Sequence, residues 1–259
     1  MHHVGINLNT TSLMKRLSFK DIILHEEEGF MVINKPAGIS SLDERIGIAP
    51  SVIALAKLYH GDAQLCHRLD KETSGVMVIA KNNDYFKAIN ELFRTKEIDK
   101  RYHCISCGKH QFVDHHIELP LSVSARGKAK IDHREGKRAH TIVNTLEPFA
   151  HYTLNECQPI TGKLHQIRIH LASQNAALAA DKSYGGTIPF LSHLKPKFKL
   201  GKNKEERELM SRTALHAYSI SFKHPMSNEE LSFQAPYPKE LDVFLKLLKK
   251  YDQEKEYRF

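Results

Sequence analysis

Residues 67–75, His-Arg-Leu-Asp-Lys-Glu-Thr-Ser-Gly, constrain this chain more than any other stretch. They carry two cations, two carboxylates, a Thr-Ser pair and a closing glycine. An apolar segment, 63–66, leads in, and a longer apolar run, 76–80, leads out. Short apolar runs rich in β-branched residues read as buried strands. A charged loop held between two core strands is where a rigid scaffold presents catalytic groups. Asp70 is the candidate. The plainer reading is a strand-turn-strand corner whose Asp hydrogen-bonds its own turn.

At 259 residues the chain can bury a substantial core, as one mixed α/β domain or two small ones. A formal net charge of +8 favours a polyanionic partner, nucleic acid before membrane. Residues 1–11 lack a basic-then-apolar leader pattern, and no run of about 18 apolar residues occurs, so a soluble, cytoplasmic protein is expected. Four cysteines do not make a disulfide framework in a chain this long. Cys104 and Cys107 have the spacing of half a zinc site, with His110, His115 and His116 nearby. On a strand, residues three apart face opposite ways, and no second Cys-x-x-Cys completes the set, so no metal is expected. Cys66 and Cys157 sit in apolar surroundings and read as core.

Along the chain, 22–24 and 30–33 read as strands around an acidic turn, and Pro36 and Gly38 end the second. Ser51 can cap a helix bearing Val52, Leu55, Ala56 and Tyr59, and Asn83 or Asp84 one bearing Phe86, Ile89, Asn90 and Phe93. Strands are expected at 101–107, 139–146 and 152–157. A helix over 164–173 would put His165, Arg168 and Ala172 on one face and Leu164, Ile167 and Leu171 on an apolar stripe, so that Arg168 looks into a cleft. Leu241, Phe244, Leu245 and Leu248 make an amphipathic C-terminal helix. The stretch 192–212 holds Lys195, Lys197, Lys199, Lys202, Lys204, Arg207 and Arg212 and reads as a basic RNA-contacting arm or a solvated loop.

Five short motifs occur in order: Asn34-Lys35-Pro36-Ala37-Gly38, the 67–75 stretch, Lys100-Arg101-Tyr102, Thr161-Gly162-Lys163-Leu164-His165-Gln166-Ile167-Arg168-Ile169-His170, and Asp181-Lys182-Ser183-Tyr184-Gly185-Gly186. Together they resemble the RluA-type pseudouridine synthases, over roughly residues 22–250. The sequence departs from the family pattern at 39–45, at Lys163 where Arg is usual, at Ala176-Ala177, and at Ala180 where relatives have Gly. The resemblance leaves no room for the helical RNA-binding module that many relatives carry in front.

The resemblance implies an α/β fold of α+β character, with a mixed, largely antiparallel central sheet flanked by helices and loops. It implies an arm at 1–21, a catalytic domain at 22–250 and a tail at 251–259. The implied activity is isomerisation of uridine in ribosomal or transfer RNA by a monomer. This chemistry is redox-neutral and calls for no cofactor or metal. Asp70 would be the catalytic carboxylate, and Arg168 the cation that keeps it ionised and oriented. Tyr102 would stack on the flipped uracil and Arg68 would fill the gap the nucleotide leaves. His67, Lys71, Thr73, Lys163 and His165 are the further RNA-binding candidates. A non-catalytic RNA-binding or ribosome-assembly protein would not need Asp70, Tyr102 and Arg168 together. A glycosidase would want a second carboxylate matched to Asp70, and the motif offers none.

Overall fold

The computed structural model describes residues 18–44, 50–124, 127–201 and 204–253. A 3-10 turn (Phe19–Ile22) opens the chain and runs into β1 (Ile23–Glu26) and β2 (Phe30–Lys35). Then come α1 (Val52–Tyr59), β3 (Gln64–Leu65), β4 (Ser74–Ala80), α2 (Asn83–Thr95) and β5 (Asp99–Cys107). The middle of the chain gives β6 (His115–Ile117), β7 (Leu121–Val123), β8 (Ala129–Ile131), β9 (Thr141–Pro148) and β10 (Tyr152–Pro159). It closes with α3 (Gln166–Ser173), α4 (Leu191–Leu194), β11 (Leu215–Lys223), β12 (Glu230–Gln234) and α5 (Lys239–Tyr251).

Ten strands form one sheet in the order β1-β2-β4-β11-β5-β10-β9-β6, with β3 beside β4 and β12 beside β11, while β7 and β8 form a separate ribbon. Among the described residues, one pairing in the sheet is parallel: β11 on β4, with His216 opposite Ser74 and Ala217 opposite Gly75. Alternate residues of a strand face opposite sides, and here both sides are covered. On β2, Met31 and Ile33 pack with α1, whereas Phe30 and Val32 pack with α2. On β5, Ile105 packs under α5 and Cys104 under α3. This two-sided burial explains why 76–80 reads as an unbroken apolar run rather than an alternating one.

Ser51 caps α1 as expected, its hydroxyl accepting from the Ala54 amide at 3.1 Å. The α2 cap is Asn82, one residue before the expected position, accepting from Tyr85 at 3.0 Å. The α3 helix begins at Gln166, and residues 166–171 are all buried, so it has no polar face and apolar stripe. It is packed against β8, β9 and β10, which leaves no solvent side. Cys104 and Cys107 diverge as their spacing demands: the Cys104 sulfur lies 3.6 Å from that of Cys157 and the Cys107 sulfur 3.4 Å from the Thr187 hydroxyl. The folded body is also wider than 22–250. Phe19 packs at a tilt on Tyr59, ring centres 5.5 Å apart, and Asp252 is buried and accepts from the His151 ring at 2.6 Å. Residues 1–17 of the expected arm and 254–259 of the expected tail lie outside the described residues.

Candidate active site

The parallel junction of β4 and β11 fixes the charged loop. Gly75 has φ +119°, and a Cβ there would stand 2.1 Å from the Ala217 carbonyl oxygen, so only glycine lets the strands approach. Beneath the loop, Lys35 is fully buried and its ammonium donates to the carbonyls of Ile39 at 2.8 Å, Pro36 at 3.0 Å and Lys71 at 3.3 Å. The Gly38 amide donates to the same Lys71 carbonyl at 2.7 Å. The Asn-Lys-Pro-Ala-Gly turn therefore serves as the bed of the 67–75 loop. Burial pulls Lys35 from 10.5 down to about 7, with Arg212 adding to the effect and the Asp70 charge opposing it.

From the other side Arg212, also buried, donates to the Glu72 carbonyl at 2.8 Å, the Leu215 carbonyl at 3.1 Å and the Ser74 hydroxyl at 3.1 Å. It pairs as well with Glu240 on α5. The order of donors continues inward. His216 has its Nε2 3.2 Å from the Ala235 carbonyl, so that nitrogen donates and Nδ1 accepts from Ser74 at 2.9 Å. The imidazole is thus neutral, and burial pushes its pKa to about 4.

Over this loop lies a cleft of about 580 Å³. Of the residues singled out in the sequence, His67, Arg68, Asp70, Thr73, Tyr102, Lys163, His165 and Arg168 all line it. Lys71 does not; its ammonium pairs with Glu44 at 2.8 Å on the surface. His67 lines the wall but as a packing residue. Its Nε2 accepts from the Val78 amide at 2.9 Å, its ring lies 4.8 Å from Phe93, and burial pushes its pKa to about 3, with Lys100 adding. Arg68 is exposed on the wall and Thr73 is buried in it.

The Asp70 carboxylate keeps 23% of its surface and looks across at His165, whose Nε2 is 3.8 Å away. His165 has φ +52°, a left-handed conformation at the start of α3 that sets its ring toward the cleft. Its Nδ1 is 2.9 Å from the Tyr184 hydroxyl. Burial lowers its pKa, outweighing the nearby Asp70 charge, so the contact is not an ion pair at neutral pH. Arg168 does not reach Asp70 with its fork. It holds Asp181 through two bonds of 2.7 Å and lies 5.1 Å from the Tyr184 ring centre. Its charge still acts on the cleft, but Asp70 is oriented by its backbone loop. Gln166 braces the same wall, donating to the His140 carbonyl and the Thr141 hydroxyl and accepting from Thr161 and Lys163.

A sequence description of the RNA pseudouridylate synthases matches residues 29–173, more than half of the chain. The chain belongs to this family. Against ribosomal large subunit pseudouridine synthase D of Zymomonas mobilis, the synthase is 31% identical over 244 residues, covering 87% of this chain and 72% of that one. Against ribosomal large subunit pseudouridine synthase C of Buchnera aphidicola, it is 34% identical over 241 residues, covering 89% and 70%. The solved structure of human RNA pseudouridylate synthase domain containing 4 superposes with a TM-score of 0.67 at 28% identity, covering 94% of this chain and 98% of that one. The synthase is an RNA isomerase of the RluA type.

Three residues that organise the synthase's cleft were given no role from the sequence, Lys35, Asp181 and Tyr184, and a fourth, Arg212, was read as part of the basic 192–212 stretch but is buried beneath the 67–75 loop. Lys35 carried a signal, a cation at the end of an apolar strand. Asp181 carried one too, since a buried Arg168 needs a carboxylate and Asp181 is the first acidic residue after it. Arg212 carried none, because nothing separates it from the surface lysines before it. Ala180, in the place of a family glycine, adopts φ +60° directly before Asp181.

Proposed function

We propose that the synthase isomerises uridine in large-subunit ribosomal RNA, with Asp70 as the catalytic carboxylate acting on a nucleotide flipped into the cleft. The observation that carries this is the position of Asp70, whose carboxylate opens onto the cleft while its loop is braced from behind by Lys35 and Arg212. The RNA class rests on the names of the two bacterial relatives.

In the reaction the bond from uracil N1 to the ribose carbon breaks, the base turns, and C5 bonds to the same carbon. The C5 proton leaves and N1 takes up a proton, so atoms and electrons balance with no co-reactant. Asp70 supplies the anion beside the breaking bond. Tyr102 provides a ring for the extruded base to stack on, replacing neighbours lost from the RNA stack. The Tyr184 hydroxyl lies 3.2 Å from the Ala129 carbonyl and 2.9 Å from His165 Nδ1; when its one proton turns from Ala129 to His165, the His165 Nε2 carries its hydrogen toward Asp70 and steadies the anion. Arg68, Lys100 and Lys163 give the cleft the positive lining a phosphate backbone requires.

The test is single-turnover reaction of transcripts from large-subunit ribosomal RNA and of transfer RNAs with wild type and Asp70→Asn. The Asn is the same size and cannot ionise. Wild type should form pseudouridine in the ribosomal transcript, and Asp70→Asn should bind within a few-fold and form none. Turnover by Asp70→Asn would remove Asp70 from the chemistry; product in transfer RNA alone would overturn the RNA assignment.

A further inference from the structure

Far along the sheet from the cleft, its edge carries a second group of chemically competent side chains. β6 is the outermost strand, and its register on β9 sets His116 opposite Ile142 and Ile117 opposite Thr141. Alternate residues share a face of a strand. His116 and Glu118 therefore project together, and one step further along the register Glu118 stands opposite His140 on that same face. The atoms agree. His140 Nε2 lies 3.1 Å from His116 Nδ1 and 4.0 Å from Glu118 Oε1. One ligand atom from each of the three falls within 4.8 Å of the other two.

We propose that His116, Glu118 and His140 form a binding site for a borderline divalent cation, zinc above all, that fastens the edge strand of the sheet. With zinc–nitrogen bonds of about 2.0–2.1 Å, tetrahedral ligand atoms stand about 3.3 Å apart. The two imidazole nitrogens are already near that spacing, and the Glu118 oxygen, 4.0 Å from His140 Nε2 and within 4.8 Å of the His116 nitrogen, reaches it by a small turn of an exposed side chain. Two imidazoles and one carboxylate leave one position for water, a donor set that zinc accepts.

Two further features fit a metal better than a lone pair of hydrogen-bonded histidines. The Asp114 carboxylate is 3.5 Å from His116 Nε2, the ring nitrogen that would not hold the metal. A carboxylate on the far nitrogen fixes the tautomer of a ligating imidazole. Arg138 takes the other oxygen of Glu118, Oε2, at 3.2 Å and leaves Oε1 turned to His140. His140 is anchored too, its amide donating to the Thr161 hydroxyl at 3.0 Å and its carbonyl accepting from Gln166 at 2.9 Å. Gln166 heads the helix that carries Arg168. A cation here would thus tie a three-residue edge strand to the wall of the cleft without touching the reacting groups.

The experiment titrates zinc ion into metal-stripped full-length protein by calorimetry, with cobalt(II) absorption to report geometry. Wild type should bind one more zinc than His116→Ala or His140→Ala, and its thermal midpoint should rise with zinc by an amount both variants lack. Glu118→Gln should bind at least tenfold more weakly, and Asp114→Asn about tenfold more weakly through loss of the outer carboxylate. His116 and Glu118 are exposed, so their variants leave the core intact. Equal zinc stoichiometry and equal thermal response in wild type and the His116→Ala variant would overturn the site, placing the metal on other histidines.

Discussion

Tyr102 and Arg168 show what the environment does to a single side chain. Burial, reinforced by the Asp70 charge, pushes the Tyr102 hydroxyl well above its ordinary 10.0, so the neutral phenol is the form present at working pH. A neutral phenol is no base for the C5 proton, whereas stacking needs the ring alone. Tyr102→Phe should therefore bind RNA as wild type does and keep its single-turnover rate within a few-fold. Tyr102→Ala should lose about 1–3 kcal/mol of base capture. A loss of about tenfold or more in the Phe variant with binding intact would contradict this and give the hydroxyl a part in the proton transfer. Arg168→Lys should destabilise the fold by about 1.5–3 kcal/mol, because Lys forgoes one charge-assisted bond to buried Asp181, and should slow the reaction. Denaturant unfolding checks this, and wild-type stability would contradict the role given to the fork. That Asp70, Tyr102 and Arg168 line one cleft was legible because each stands in a contiguous motif. Their partners were not: Asp181 is 13 residues from Arg168 and Arg212 is 138 from Ser74, and only folding brings them together.

At the scale of elements, local signals located most strands and the longer helices. Apolar runs, Ser51 and the spacing of Leu241, Phe244, Leu245 and Leu248 all correspond to observed structure. The fate of 164–173 was not legible, because periodicity cannot reveal that β7 and β8 cover what would have been a solvent face. The basic stretch 192–212 divides. Lys195, Lys197 and Lys199 are exposed, Lys202 lies outside the described residues, and Arg212 is buried under the 67–75 loop. An RNA-contacting arm would thus consist of the exposed Lys195, Lys197, Lys199, Lys204 and Arg207. Replacing Lys195, Lys197 and Lys199 with Ala should lower the salt dependence of RNA binding by about one unit for each phosphate no longer neutralised, about three in all. An unchanged slope in a filter-binding series would make the stretch an ordinary solvated loop.

For the whole molecule, buried neutral histidines tie stability to pH. His216 titrates near 4 in the folded protein against 6.5 for an ordinary imidazole. Between those values the unfolded chain takes up a proton that the folded one refuses, so stability falls as pH drops, by up to about 1.4 kcal/mol per pH unit. His67, lowered to about 3, acts in the same direction. Unfolding at about pH 7 and about pH 5 should show the loss, and His216→Gln should flatten it; equal stability at both would contradict the neutral assignment. The net charge of +8 and the cleft lining together suit a polyanion, but only the motif around Asp70 separates an isomerase from a protein that merely holds RNA. The most direct measurement is pseudouridine mapping across large-subunit ribosomal RNA from cells lacking this protein, complemented with wild type or with Asp70→Asn. At least one position should be modified with wild type and stay uridine with Asp70→Asn expressed to the same level. A position restored equally by both would contradict a catalytic Asp70.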